Sequence, residues 1–347
     1  MKPKTWVLLL SLITALLSLN AQAHRKTDVV ILYNGDRITG EIQRLAAGIL
    51  DLKTDSMGRI KIEWQEISRV ESNYNYEFRT SDGNRYFGSI VQSERPGQLM
   101  VSDLYGKHEL EWLEVVELRS IEDSFAERLE LYVSAGYSYT KASSIGQATL
   151  NYDLSYEDED SRNRLWGRTS ITDTDTETIS STRVDLTRQL WTDRTRVFRS
   201  IFANYENNDE LDLEYRLGAG SGLGKYFLDT NRSQWLGIAG LQVITEKPVG
   251  GGSDGDNSTN QDVELFFNTS YSVWKFTAPE LDFSVSFSVY PSVTDSGRIR
   301  SDGNVRLRWE VVEDLFIGIS GWTSSDNHAQ SSQEVDYGVT TELGWEY

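Results

Sequence analysis

The sequence predicts an all-β protein in which a 12-stranded antiparallel transmembrane β-barrel follows two small repeated β units. Three observations carry this. Residues 29–120 repeat at a constant offset of 48, long segments of alternating polarity fill the rest of the chain, and an export signal opens it.

The export signal has three parts. Lys2 and Lys4 make a basic start, residues 6–19 are mostly apolar, and Ala21-Gln22-Ala23 is a small-x-small cleavage site. The apolar run is shorter than the ~20 residues a helical span needs. Cleavage after Ala23 is expected, so residues 1–23 are set aside and His24 begins the mature chain. No later stretch offers ~18 consecutive apolar residues. The mean hydropathy of -0.46 does not argue against a membrane, because lipid-facing and lumen-facing residues alternate in a barrel.

The chain has no cysteine, so packing and backbone hydrogen bonds alone must hold it in an exported setting that permits disulfides. A net charge of -19, more acidic still without Lys2 and Lys4, argues against a nucleic-acid partner. Five prolines, with 10 tryptophans, 17 tyrosines and 12 phenylalanines, suit a β chain with aromatic positions to fill.

The repeat defines two small β units, 27–73 and 74–121. Asn34-Gly35-Asp36-Arg37 matches Asp82-Gly83-Asn84-Arg85, Gly40 and Ile42 match Gly88 and Ile90, and Glu63-Trp64 matches Glu111-Trp112. Each unit begins with an extended segment (29–33) that meets an Asn-Gly-type turn, the strongest short hairpin signal. A strand follows whose glycine suggests a bend (37–45), then 49–54, 60–64 and 67–71. Five short, bent strands resemble the SH3-like or Sm-like small barrels. The equivalent places of Trp64 and Trp112 favour a core role, each closing its own unit, over a binding site.

Twelve alternating segments are expected at 128–140, 145–157, 163–172, 178–191, 195–205, 210–227, 234–245, 262–274, 281–290, 301–312, 315–323 and 334–347. In the first, Leu129, Leu131, Val133, Ala135, Tyr137 and Tyr139 share one face, and Glu130, Tyr132, Ser134 and Ser138 the other. A soluble sandwich would turn the apolar face inward, a membrane barrel outward. Segment length and even number favour the barrel (domain 125–347). So do aromatics near segment ends: Tyr137, Tyr139, Tyr156, Trp191, Tyr205, Trp235, Trp274, Tyr290 and Trp345. The longer links, such as 246–261 and 291–300, fall on one side and the short ones on the other, as in outer-membrane barrels with a periplasmic N-terminal domain. Closure requires the first strand to pair with the twelfth.

The alternation places Glu130, Asp153, Arg164, Arg168, Arg183, Asp185, Glu214, Arg216, Glu264, Arg306, Arg308, Glu342 and Glu346 toward the lumen. Mixed signs favour paired charges bracing a narrow interior over strong ion selection. Gly218, Gly220, Gly222 and Gly224 on the same face suggest close approach by neighbours or a plug. No cofactor is expected. Asp173, Asp175 and Glu177 are the weak candidate metal ligands, and a solvated acidic loop is the favoured account of them. Of His24, His108 and His328 none falls on a predicted barrel strand, so a serine hydrolase with a histidine base is not expected.

The opening strand with Gly136-Tyr137-Ser138, the segment Tyr152-Asp153-Leu154-Ser155-Tyr156 and the close Leu343-Gly344-Trp345-Glu346-Tyr347 carry a family resemblance. The chain from Glu127 onward resembles uncharacterised bacterial outer-membrane barrels described as salt-induced outer membrane proteins (domain of unknown function 481). The units beginning at Asn34 and Asp82 look like those that often precede such barrels. The resemblance implies an outer-membrane address and no activity. Leu343, Trp345 and Tyr347 resemble the C-terminal signal read by barrel-assembly machinery. Expected partners are outer-membrane lipid, lipopolysaccharide, that machinery and a periplasmic protein. The functional expectation is a narrow passive channel or structural envelope protein. The alternatives are a membrane-anchored module recruiting a periplasmic partner and, behind it, an outer-membrane hydrolase.

Overall fold

The computed structural model describes residues 27–345 apart from 92, 94, 96, 122–127, 142–143, 159, 193–195, 210–212, 249–258, 278, 313–314 and 329–334. The cleavage site at Ala23 and the terminal Glu346 and Tyr347 lie outside the described residues.

The first repeat forms β1 (Asp28–Leu32), β2 (Arg37–Ala46), β3 (Ile49–Lys53), β4 (Arg59–Glu63), a 3-10 turn at Trp64–Glu66 and β5 (Ile67–Glu71). The second forms β6 (Asn75–Thr80), β7 (Arg85–Val91), β8 (Gln98–Ser102), β9 (Lys107–Glu111), a 3-10 turn at Trp112–Glu114 and β10 (Val115–Ser120). Gly35 and Gly83 turn the first hairpin of each repeat with φ of 91° and 87°, a conformation glycine adopts without a steric cost. The bend expected at Gly40 follows as a register shift between Ile42 and Arg44.

The two repeats are fused and not separate. Strand β10 pairs with β2 as well as β6, so Leu118 faces Leu45 across the joint. One apolar cluster runs through both, from Val30, Leu50 and Trp64 to Phe78, Val101 and Trp112. Buried Asp28 ties them further, accepting from the Ile42 amide at 2.8 Å, Ser72 Oγ at 2.5 Å and the Tyr76 hydroxyl at 3.1 Å. Burial and the Asp28 charge push the Tyr76 phenol far above its ordinary range. The reading that each tryptophan closes its own unit is therefore corrected. Both are buried, but against one another.

Twelve longer strands follow: β11 (Leu129–Thr140), β12 (Ile145–Glu157), β13 (Ser161–Asp173), β14 (Thr178–Trp191), β15 (Val197–Asn208), β16 (Leu213–Asp229), β17 (Ser233–Pro248), β18 (Asn260–Lys275), β19 (Leu281–Pro291), β20 (Ile299–Val312), β21 (Leu315–Asp326) and β22 (Val335–Trp345). They form one antiparallel sheet in strict sequence order, each strand beside the next. Among the described residues no ladder joins β11 to β22, so the sheet is seen as an ordered twelve and not as a closed ring.

The sheet is strongly sheared. A cross-strand row begins at Glu130 near the start of β11 and passes through Ser155, Arg164, Thr187, Phe202, Gly220 and Gln242. It ends at Glu264, near the start of β18 and the opposite edge of the sheet. Such stagger is what tilted strands of a barrel wall require.

One face is concave. Phe202 of β15 and Phe266 of β18 meet with ring centroids 5.3 Å apart across two intervening strands. Arg300 of β20 reaches Glu264 of β18 at 2.7 Å over β19. Phe198, Ser200, Gln242, Glu264, Phe266 and Ser288 are all buried on that face. The other face carries Leu217, Leu223, Leu241, Phe267, Phe287, Val305, Trp309 and Val339, all exposed, Leu223 at 62% and Val339 at 68%. A soluble sandwich would show the reverse.

Candidate functional site

Backbone register brings the sequence-predicted charged set together. Glu130, Asp153, Arg164, Arg168, Arg183, Asp185, Arg216, Glu264, Arg306, Arg308 and Glu342 all fall on the concave face. Most are paired. Arg164 meets Asp153 at 2.6 Å, Arg183 meets Asp185 at 3.0 Å, and Arg306 meets Asp282 at 2.7 Å. Arg216 bridges Glu206 and Glu246 at 3.2 and 3.0 Å. Arg308 lies over the Phe316 ring at 4.3 Å. Glu264, 1% exposed, takes Arg300 and Gln242 Nε2, both at 2.7 Å. Glu214 stands beside a register shift and joins Lys247 at 2.7 Å instead of the inner arginines.

The glycine series of β16 lets side chains lie across the floor. A Cβ at Gly220 would sit 2.6 Å from Phe202 Cζ and one at Gly222 2.8 Å from Phe266 Cζ. One at Gly224 would overlap the Phe198 ring, and one at Gly218 the Asn204 amide. Phe198 packs edge-on against Trp191 at 5.5 Å and near Tyr226 at 5.7 Å, so this stretch of the concave face is filled by rings.

Three aromatics expected at a lipid interface belong to the concave side. Trp191 joins the Phe198 cluster, Trp274 donates Nε1 to the Asn231 carbonyl at 2.7 Å, and Tyr290 lies beneath the Arg300 guanidinium at 5.1 Å. Strand parity decides this, and nearness to a segment end does not reveal it. Leu343 and Trp345 lie exposed on the convex face of β22.

The short-turn edge of the sheet meets the fused N-terminal unit, a junction that no local pattern marks. Arg79 of β6 donates to Asp229 Oδ2 at the end of β16 at 2.6 Å and holds Glu117 of β10 at 2.6 Å. Its guanidinium lies 5.7 Å over the Tyr226 ring. Arg119 bonds Glu157 of β12 at 2.7 Å, Arg162 of β13 bonds the same carboxylate at 2.5 Å, and Arg162 reaches Glu117 at 3.4 Å. Three guanidinium groups thus face three carboxylates. Arg79, Glu117 and Asp229 have side chains only 12%, 13% and 6% exposed. Burial disfavours the charge on Arg79, but Glu117 and Asp229 outweigh it and hold the guanidinium above its ordinary range. Asn231, in the β16–β17 turn, donates to the carbonyls of Leu113 and Val115, both at 2.9 Å, and Arg232 donates to Gln65 Oε1 at 2.6 Å.

The candidate metal loop is self-contained. Asp173 accepts from Thr178 Oγ1 at 2.6 Å, and Thr174 Oγ1 donates to the Glu177 carbonyl at 2.9 Å. Among the described residues no three carboxylate or histidine side chains are grouped as a metal ion requires, Asp173, Asp175 and Glu177 included. His108, on β9, pairs with Asp103 at 2.9 Å, and His328, in the turn after β21, pairs with Asp295 at 3.1 Å.

No curated protein and no solved structure matches the chain. The family described as "Protein of unknown function, DUF481" matches residues 133–347, which takes in nearly all of the twelve-stranded sheet. The chain belongs to that family.

Proposed function

We propose that this protein is a bacterial outer-membrane β-barrel, closed by pairing of its first and last long strands, that works as a narrow passive channel with its N-terminal unit docked on the periplasmic mouth. One observation carries the reading: the exposed face of the sheet is mainly apolar, while the concave face is charged and paired. Lipid tails match the first and confined water the second. Ordered pairing satisfies the backbone groups between the twelve strands, and closure of β11 on β22 would satisfy those at the two edges, as a bilayer demands. Among the described residues no helix is long and apolar enough to cross a membrane.

In this reading outer-membrane lipid and lipopolysaccharide surround the barrel, and assembly machinery reads Leu343, Trp345 and Tyr347. Heat-modifiable migration tests it. Protein from outer-membrane fractions is expected to run faster unboiled than boiled, as a closed barrel does. A soluble mature protein with a single mobility would refute the proposal.

A second reading has one observation in its favour. Leu104 and Tyr105, at the tip between β8 and β9, are 99% and 95% exposed, which suits recruitment of a periplasmic protein. Deleting residues 27–120 is then expected to abolish that recruitment while the barrel still assembles.

A further inference from the structure

The concave face is not uniform. Along β14–β18 it is filled by rings and ion pairs, as described above. Along β18–β21 it opens into a cavity of about 290 Å³ lined by Ser270, Ser272, Ser284, Ser286, Asn304, Trp322 and the guanidinium-bearing Arg306. The register explains how so many hydroxyls meet. Ser270 stands opposite Ser286, and Ser286 opposite Asn304. Ser272 likewise faces Ser284, and Ser284 faces Arg306, whose charge is taken up by Asp282 at 2.7 Å. Trp322 lies across Gly338, where a Cβ would stand 2.5 Å from its Nε1, and it flanks the hydroxyls with an apolar ring. A smaller pocket of about 210 Å³ at Arg164, Trp166, Asp185 and Thr187 is charged by contrast.

Among the described residues, the docked unit is anchored on the other side of the sheet. Its contacts described above fall on β12, β13, β16 and the β16–β17 turn, and Arg44 adds β11 through Glu130 at 3.8 Å. The serine-lined cavity lies on the strands beyond them.

We infer that β18–β21 line the passage of this channel and that its solute is a small uncharged polyhydroxyl compound, a polyol or monosaccharide. The inference rests on the barrel proposed above. A hydroxyl solute leaving water must have its hydrogen bonds replaced, and serine both donates and accepts. The Trp322 ring face suits the C–H surface of such a solute. An ion entering the same space loses hydration without gaining an unpaired counter-charge. The volume of about 290 Å³ falls just under the roughly 300–1,000 Å³ of drug-sized ligand sites, as suits a smaller solute.

Vesicle swelling tests this. The full processed chain is reconstituted in phosphatidylcholine vesicles, and its folding there is checked by heat-modifiable migration. Isosmotic ribitol is expected to swell the vesicles well above the protein-free rate, and sodium gluconate is expected to lag several-fold. Ser286→Leu and Asn304→Leu are each expected to bring ribitol entry down to the protein-free rate. Ser221→Leu, on the convex face, is the control expected to change nothing. Folded protein that admits ribitol no faster than bare lipid, or gluconate as fast as ribitol, overturns the solute assignment and leaves the barrel standing. Full ribitol entry through both folded leucine variants overturns it too. A chain with no heat-modifiable form in the vesicles defeats the barrel reading and this inference with it.

Discussion

Trp64 and Trp112, 48 positions apart in the sequence, lie face to face with ring centroids 4.1 Å apart and planes 8° from parallel. Each indole donates to the other's backbone carbonyl, Trp64 Nε1 to Trp112 at 2.8 Å and Trp112 Nε1 to Trp64 at 3.0 Å. The pair sits on the joint between repeats, so each repeat completes the other's core. Trp64→Ala is expected to cost about 3–5 kcal/mol, as truncating a buried large aromatic does. The loss would be felt in both repeats at once. Hydrogen exchange on the full chain checks this: protection is expected to fall together in β2–β3 and in β7–β8. Loss confined to the first repeat would mean the two cores are independent.

Arg79 is the central cation of the junction, since Glu117 and Asp229 both depend on it. Arg79→Ala leaves two carboxylates buried with one partner fewer, and breaking a buried pair from one side costs about 3–5 kcal/mol. Spin labels on Gln65→Cys and Arg232→Cys, whose parent side chains touch at 2.6 Å, report docking through their separation. The short-distance population is expected to drop in Arg79→Ala and to recover partly when Asp229→Asn is added. An unchanged distance distribution would show that the other junction contacts hold without Arg79.

Glu117 sets the pH dependence of that docking. Burial opposes its ionised form, but Arg79, Arg162 and Arg119 outweigh burial and hold its carboxyl well below the usual glutamate range. A depressed carboxylate contributes its full stabilisation above the ordinary value of about 4.3 and loses it as pH falls through the depressed value. Glu77 runs the other way: burial, only partly offset by Arg85, raises it, so falling pH relieves its cost. Docking is therefore expected to persist down to about pH 5 and to weaken only in stronger acid. The same label separation, with the labels attached at neutral pH and the distance measured between those conditions, checks it. Release already near neutrality would exclude Glu117 as the controlling group.

The floor of β16 gives a contrast between two glycines. A side chain at Gly224 collides with the Phe198 ring, whereas nothing lies within 4 Å of a Cβ at Gly136 of β11. Gly224→Val is expected to reduce the heat-modifiable fraction sharply, Phe198→Ala to restore part of it, and Gly136→Ala to leave it unchanged. Equal tolerance of both substitutions would mean the rings do not pack there.

Leu241, 52% exposed on the convex face, separates lipid from water as its neighbour. Against lipid, Leu241→Arg costs about 2–4 kcal/mol near the bilayer midplane. Against water it costs almost nothing. Chemical denaturation of the folded barrel in vesicles distinguishes the two.

Much of this architecture was legible in the amino-acid order, because period-two alternation is a local property. The register confirms the expected 145–157, 178–191 and 281–290 almost to the residue, and it puts eleven of the predicted inward charges, from Glu130 to Glu342, on one face. Turn chemistry at Gly35 and Gly83 is local too. Glu214 escaped this logic because a register shift beside it changes its neighbours without marking the sequence.

What the chain order alone determined is thus the repeat, the twelve strands and the polarity of their two faces, since each follows from residues near one another. Only the tertiary structure decided that the repeats share a core through Trp64 and Trp112 and that Arg79 locks them to the sheet. It also divided the concave face into a ring-filled part and a hydroxyl-lined one. Those relations join residues far apart in sequence, such as Arg79 and Asp229, whose pairing depends on how the chain curls and not on any local pattern.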